Sequence, residues 1–313
     1  MKRIRQIVSG GALAAALVLG STPPATSLFL DAVFCEIDPL YDNCLVTRLK
    51  DYVLSGDGAT PGITRDRSLV TVFVGYHLDH RTDGEKLLSL PDPDFYIPLI
   101  LSDSLEQVIR VVHYALFRDD FTGAEDVALA IDDDGARRLA LRYLAEAHLR
   151  YGDPAAAGPL LDLLQAEING IQPPPARIES LGALAWLYAL ADNIDGARAA
   201  VDEIIGIGSS HPLSQLRPIF SQEAAAAEGL IDGIEAGRTR VEAALTELRA
   251  MSNLPPGFLP ETLAVSAKNF GRLGLYAEGR AIAAEALAMS HDVDPDRRGE
   301  FFRNLIEAGF VYE

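Results

Sequence analysis

Cysteine is almost absent from this chain: Cys35 and Cys44, nine positions apart, are the only two among 313 residues. No C-x-x-C redox pair can be built from them, and no second Cys/His pair stands at zinc spacing. In an oxidising compartment they read as one local disulfide stapling the N-terminal segment. Closing so short a loop contributes about 2–3 kcal/mol in the chain-entropy model. Basic residues are also scarce, with 27 Lys and Arg against 45 Asp and Glu, for a formal net charge of −18. That balance argues against nucleic acid and anionic membrane surfaces as partners. A Gly-rich phosphate loop, a G-x-S-x-G elbow and H-E-x-x-H are all missing. With no converging set of titratable residues, the sequence assigns no catalytic residue, no cofactor and no metal site, and the chain reads as a non-enzyme.

Residues 1–27 read as a signal peptide. Lys2, Arg3 and Arg5 form a positive n-region, and Ile7 to Leu19 is an apolar core too short to span a bilayer comfortably. Ser21-Thr22-Pro23-Pro24 breaks it, and Ala25-Thr26-Ser27 offers small residues for cleavage. An uncleaved N-terminal anchor is the alternative. The expectation is a bacterial protein, periplasmic or secreted. The leader holds three basic residues and no acidic one, so its removal takes the charge from −18 to −21. No later segment is apolar enough to insert in a membrane.

Three polar clusters invite a chemical reading. Tyr76-His77-Leu78-Asp79-His80 carries three metal-type side chains within about a turn, but no further ligands lie nearby. His291-Asp292-Val293-Asp294-Pro295-Asp296 is loop-like in the calcium sense, yet it lacks the sixth-position glycine and has Arg303 where the bidentate acid belongs. Asp132-Asp133-Asp134-Gly135 reads as a solvated connector.

What the sequence has is a repeat. Arg138 to Gln165 reads as two helices folded on each other: Leu141, Leu144, Ala145 and His148 share one face, then Ala157, Leu160, Leu161 and Leu164 share another. Between them Gly152 is expected beyond a helix end with positive φ, Asp153 as a cap, and Pro154 in the first turn. Pro159 fits less well, about a turn into the second helix. A small residue near the start of each second helix recurs at Ala124, Ala157, Ala197, Gly237 and Gly279, with Glu85 after Gly84 as an earlier marker. The intervals are 39, 33, 40, 40 and 42 residues. Twelve positions before four of these markers stand Ala145, Ala185, Ala225 and Ala267, so the paired helices are expected to cross closely.

Two segments carry a family resemblance. LAEAHLRYGDPAAAGPLLDLL has the large-small pair Leu144-Ala145, the aromatic-type position His148, Gly-Asp at the turn, Ala157 and Leu161. LAWLYALADNIDGARAAVDEI has Leu184-Ala185, Tyr188, Ala197 and Val201, and the unit from Ala267 to Leu287 agrees through Phe270, Gly274 and Gly279. The chain resembles the tetratricopeptide repeat family over roughly residues 66–290. Its period near 40 rather than 34 is taken up in Pro-bearing connectors such as Gln172-Pro173-Pro174-Pro175. A related helical-hairpin solenoid is the alternative. The resemblance implies an all-α, right-handed solenoid of five or six helical hairpins. Residues 28–65 form the stapled N-terminal segment, and residues 291–313 supply a capping helix with Phe301, Leu305 and Ile306 on the last hairpin. Ser68 to Val74 is rich in β-branched residues and reads as helix on its repeat spacing, with strand as the alternative.

In that family the first helices line a groove holding an extended peptide or a partner helix. Carried over by position, the partner-binding candidates are His113, Leu116 and Phe117; Arg142, Glu146, Leu149 and Arg150; Glu179 and Trp186; Gln222; and Lys268 and Arg272. Trp186 is the only tryptophan, and large aromatics make good contact anchors. The basic members suit a carboxylate; the competing reading packs Trp186 between hairpins and pairs the arginines with neighbouring acids. The expected function is a non-enzymatic scaffold or adaptor binding a protein or peptide. The alternative is an accessory solenoid binding a glycan or cell-wall peptide for a separate enzyme, which several exposed aromatics would favour.

Overall fold

The computed structural model describes residues 103–210, 217–252, 254–294 and 297–309. The cysteines, the leader, the His77 cluster and the Ser68 to Val74 segment lie outside them. Among the described residues the protein is all-α, with twelve α-helices and no strand.

The helices come in pairs. Those pairs are α1 (Asp103–Phe117) with α2 (Phe121–Leu129), α3 (Asp134–Tyr151) with α4 (Pro154–Asn169), and α5 (Ile178–Leu190) with α6 (Ile194–Ser210). The fourth pair has a divided first helix, α7 (Arg217–Gln222) then α8 (Ala225–Asp232), packed on α9 (Ile234–Ala250). The fifth joins α10 (Phe258–Arg272) to α11 (Tyr276–Ala288), and α12 (Arg298–Gly309) lies on both.

Local chemistry sets the reversals. The side chains of Asp120, Asp153 and Asn193 accept from backbone N–H groups of Gly123, Ala155 and Gly196, capping α2, α4 and the start of α6. Just before three second helices stands a left-handed residue: Asp119 (φ 53°), Asp192 (φ 57°) and Gly274 (φ 74°). Gly152 departs from its expected positive φ. It has φ −111°, and glycine is required there for closeness: a Cβ would stand 2.9 Å from the ring of Phe121 and 3.0 Å from His148 Nδ1. Pro154 opens α4 as expected, and Pro159 stays inside it. Asp133 is more than a solvated connector, since its carboxylate caps α3 through the N–H of Ala136 at 2.7 Å.

Each hairpin is sealed by the small residues read from the sequence. Ala124, Ala157, Ala197, Ala145, Ala185, Ala225 and Ala267 are all fully buried. The closest seam is in the fourth pair, where a Cβ on Gly237 would lie 2.4 Å from the carbonyl oxygen of Ala225. First helices then pack serially: α1 on α3, α3 on α5, α5 on α8, α8 on α10, and α10 on α12. Second helices pack chiefly on first helices, and α9 meets α11 through long ion pairs, Arg238–Glu278 (2.9 Å) and Arg249–Glu285 (2.6 Å). The first-helix layer is therefore the tighter of the two. The terminal helix buries Phe301, Phe302, Leu305 and Ala308.

Candidate functional site

The serial packing of α5, the α7–α8 break and α10 assembles a cluster around Trp186. Gly182 and Trp186 lie one turn apart on α5, while Lys268 and Arg272 lie one turn apart on α10. The break carrying Glu223 is wedged beside them, so close that a Cβ on Gly182 would meet the Glu223 carbonyl oxygen at 2.8 Å. Glycine at 182 thus admits the turn, and the turn delivers a carboxylate.

Lys268 is 3% exposed and donates to Glu223 Oε2 at 3.4 Å. An ammonium this buried needs such a counter-charge, because desolvation alone would be prohibitive. One turn on, the Arg272 guanidinium lies 4.7 Å from the Trp186 ring centre. Arg150 of α3 reaches the same ring at 5.9 Å and pairs with Glu146, 6% exposed, at 2.8 Å. Two cations on one indole gain from its negative face, on the order of 1–2 kcal/mol each where water is excluded. Trp186 itself is 5% exposed. It is a platform under arginines, with its aromatic surface largely withdrawn from solvent.

Of the sequence-derived candidates, the structure gathers Glu146, Arg150, Trp186, Lys268 and Arg272. The others lie farther along these helices, on α1 or, for Gln222, behind the cluster at the end of α7. Glu179 is exposed in the first turn of α5, seven residues or roughly 10 Å of helix before Trp186. Arg142 sits two turns before Arg150, its guanidinium 5.5 Å from the Tyr143 ring. His113 meets Tyr114 edge-on at 6.4 Å on α1, of which Phe117 is the last residue. Leu116 and Gln222 are buried and Leu149 is half-buried.

The sequence reading named Gln222 but missed Glu223 and the polar seam that Gln222 forms with α10. Ser266 Oγ donates to Gln222 Oε1 at 2.7 Å, and Asn269 Nδ2 donates to the Gln222 carbonyl at 2.9 Å, all three residues being fully buried. The signal was present: Thr262, Ser266 and Asn269 recur at i, i+4 and i+7 on an otherwise apolar face of α10. Among the described residues no group of three His, Cys, Asp or Glu side chains is arranged for a metal ion, and no helix is long and apolar enough to cross a membrane. No family model, curated protein or solved structure matches the chain.

Proposed function

We propose that this chain is an exported, non-enzymatic scaffold of the tetratricopeptide type, a right-handed solenoid holding another protein or peptide against its first helices. The tighter packing of the first-helix layer supports the reading, because a stack whose inner elements lie closer curves toward them and forms a groove. The observation that carries it is the meeting of Arg150 and Arg272, from two separate hairpins, on Trp186. Arg150 already gives one donor to Glu146 across 2.8 Å, and a guanidinium carries five N–H donors, so the pair of arginines suits a carboxylate as a further partner. A segment with acidic side chains beside an apolar anchor fits such a surface. The glycan reading is the weaker one, since sugars stack on open aromatic faces and Trp186 already lies beneath two cations.

The test is chemical cross-linking of the full chain in the envelope fraction, with captured proteins identified by mass. It is run beside an Arg150→Glu/Arg272→Glu pair and an Arg150→Lys/Arg272→Lys pair. The acidic pair is expected to lose about tenfold or more of the captured partner, while the lysine pair keeps most of it. Thermal melts check that both variants fold. Undiminished capture by a folded acidic pair would remove the groove reading.

A further inference from the structure

A second site stands at the other end of α10. Phe258, Glu261, Thr262 and Val265 fall at i, i+3, i+4 and i+7, one face of that helix. Arg297, Glu300, Phe301 and Asn304 repeat the spacing at the start of α12. Together with Ile219 of α7, these two faces line a cleft with about 90 Å³ of solvent-sized space. Glu261 precedes Arg272 by eleven residues, roughly 16 Å of helix, so the cleft is separate from the Trp186 cluster.

Ile219, Phe258, Val265 and Phe301 supply apolar walls, and the polar lining is two carboxylates, an amide, a hydroxyl and the Arg297 guanidinium. Glu261 Oε2 takes Arg297 Nη1 at 2.7 Å. Thr262 donates its hydroxyl proton to the Phe258 carbonyl at 2.8 Å, leaving oxygen lone pairs over. Asn304 is 3% exposed, and its Oδ1 has no hydrogen-bond partner among the described residues. A buried carbonyl in that state is costly unless something donates to it. Glu300 adds a second carboxylate at the exposed rim. Burial, with Glu300 and Asp294 nearby, raises the Glu261 carboxyl above its ordinary range in spite of Arg297. The lining thus carries two carboxylates and one guanidinium, with the Asn304 carbonyl buried between them and the apolar walls.

We propose that this cleft binds an alkylammonium group, a primary amine on an aliphatic stem of the kind a lysine side chain carries. Three N–H donors answer Asn304 Oδ1, Thr262 Oγ1 and a carboxylate oxygen, while the methylenes lie along Phe258, Val265 and Phe301. A guanidinium fits less well, because it favours a carboxylate with both oxygens available and Arg297 already holds one of those on Glu261. An anion would face two carboxylates. A bare metal ion has no use for the apolar walls.

Calorimetric titration of the full chain tests this with three probes: n-butylammonium, a lysine blocked at both termini, and the equally blocked norleucine as uncharged analogue. Both amines are expected to bind with dissociation constants on the order of 1 mM, and norleucine about tenfold or more weaker. Blocked lysine binding tighter than butylammonium identifies a peptide side chain; equal or weaker binding identifies a free amine. Glu261→Gln and the near-isosteric Asn304→Leu should each weaken amine binding about tenfold. Norleucine binding as well as the amines, absence of amine binding, or folded variants of unchanged affinity would overturn the proposal. The charged-against-neutral comparison needs no variant, so a poorly folding substitution leaves the test intact. Glu261 and Asn304, the residues substituted here, lie outside the Trp186 cluster, so this site and the scaffold reading can fail independently.

Discussion

The α5/α6 hairpin and the α8/α9 hairpin begin from the same repeat and are joined differently. Nine residues before the small marker, α5 carries Tyr188, buried, with its hydroxyl 3.4 Å from the Leu161 carbonyl of the preceding second helix. The same position in α3 carries His148, whose ring lies 4.4 Å from that of Phe121 on α2. These rings tie each hairpin to the one before it. In α8 the position is Glu228, which turns to Arg240 on its own second helix. There the pair closes on itself, with a Cβ on Gly237 falling 3.1 Å from the Gly229 Cα, and Leu273 of the next hairpin fills the notch. A repeat can thus lose its ring and keep its place in the stack, provided that a glycine seam and an ion pair replace it.

The largest expected effect follows from that seam. Gly237→Ala would put a methyl carbon 2.4 Å from the Ala225 carbonyl oxygen, backbone that cannot swing aside. A cost of about 3 kcal/mol is expected, a fall of roughly 10 °C in Tm. The equivalent Gly279→Ala meets the Ala267 carbonyl oxygen at 3.2 Å, a small clash offset by alanine's helix propensity. Its net change should stay within about 1 kcal/mol. Denaturant titration of both checks the comparison, and equal costs at the two glycines would break it.

Next in size is the ion pair. Glu228 and Arg240 side chains are only 14% and 25% exposed, so Arg240→Met strands a partly buried carboxylate. That should cost about 2 kcal/mol, largely recovered in the double variant Glu228→Leu/Arg240→Met. No recovery in the double variant would mean that Arg240 acts by its packing alone, and the ion pair would not replace the missing ring.

Much of this was legible in the sequence because it rests on local rules. Alanine at fixed spacing, Asp153 at a turn and Pro154 at a helix start each state their own geometry. The terminal helix was legible through Phe301 and Leu305. What could not be read depends on which elements meet. Glu223 matters only because Gly182 lets the α7–α8 break approach α5, and nothing local to Glu223 says so. Trp186 was legible as distinctive, but its coverage by Arg150 and Arg272 comes from helices that are 36 and 86 residues away in sequence. Gly152 misled for the same reason: its need for glycine is set by Phe121, from another hairpin, and by its own helix's His148, with no help from its φ.

The smallest expected effect separates α3 from the other ring-bearing hairpins. At the shared position Tyr188 and Phe270 carry no positive charge at any pH, whereas His148 titrates. Burial lowers the His148 imidazole below its ordinary value of 6.5, Glu125 and Asp153 opposing this more weakly. Between the folded value and 6.5 the unfolded chain holds a proton that the folded one refuses. This contribution to stability is therefore complete above about 6.5 and is lost as pH falls toward the folded value, where it levels off. His148→Phe installs the ring that α10 uses at this position and should remove that part of the acid sensitivity. Unfolding free energies at pH 7.5 and 5.5 should accordingly differ less in the variant than in the parent chain. Other groups titrate over this range in both proteins, so the difference between the two slopes is the readout. Equal slopes would show that the Phe121–His148 contact tolerates the imidazolium, and His148 would then couple α3 to α2 by shape alone.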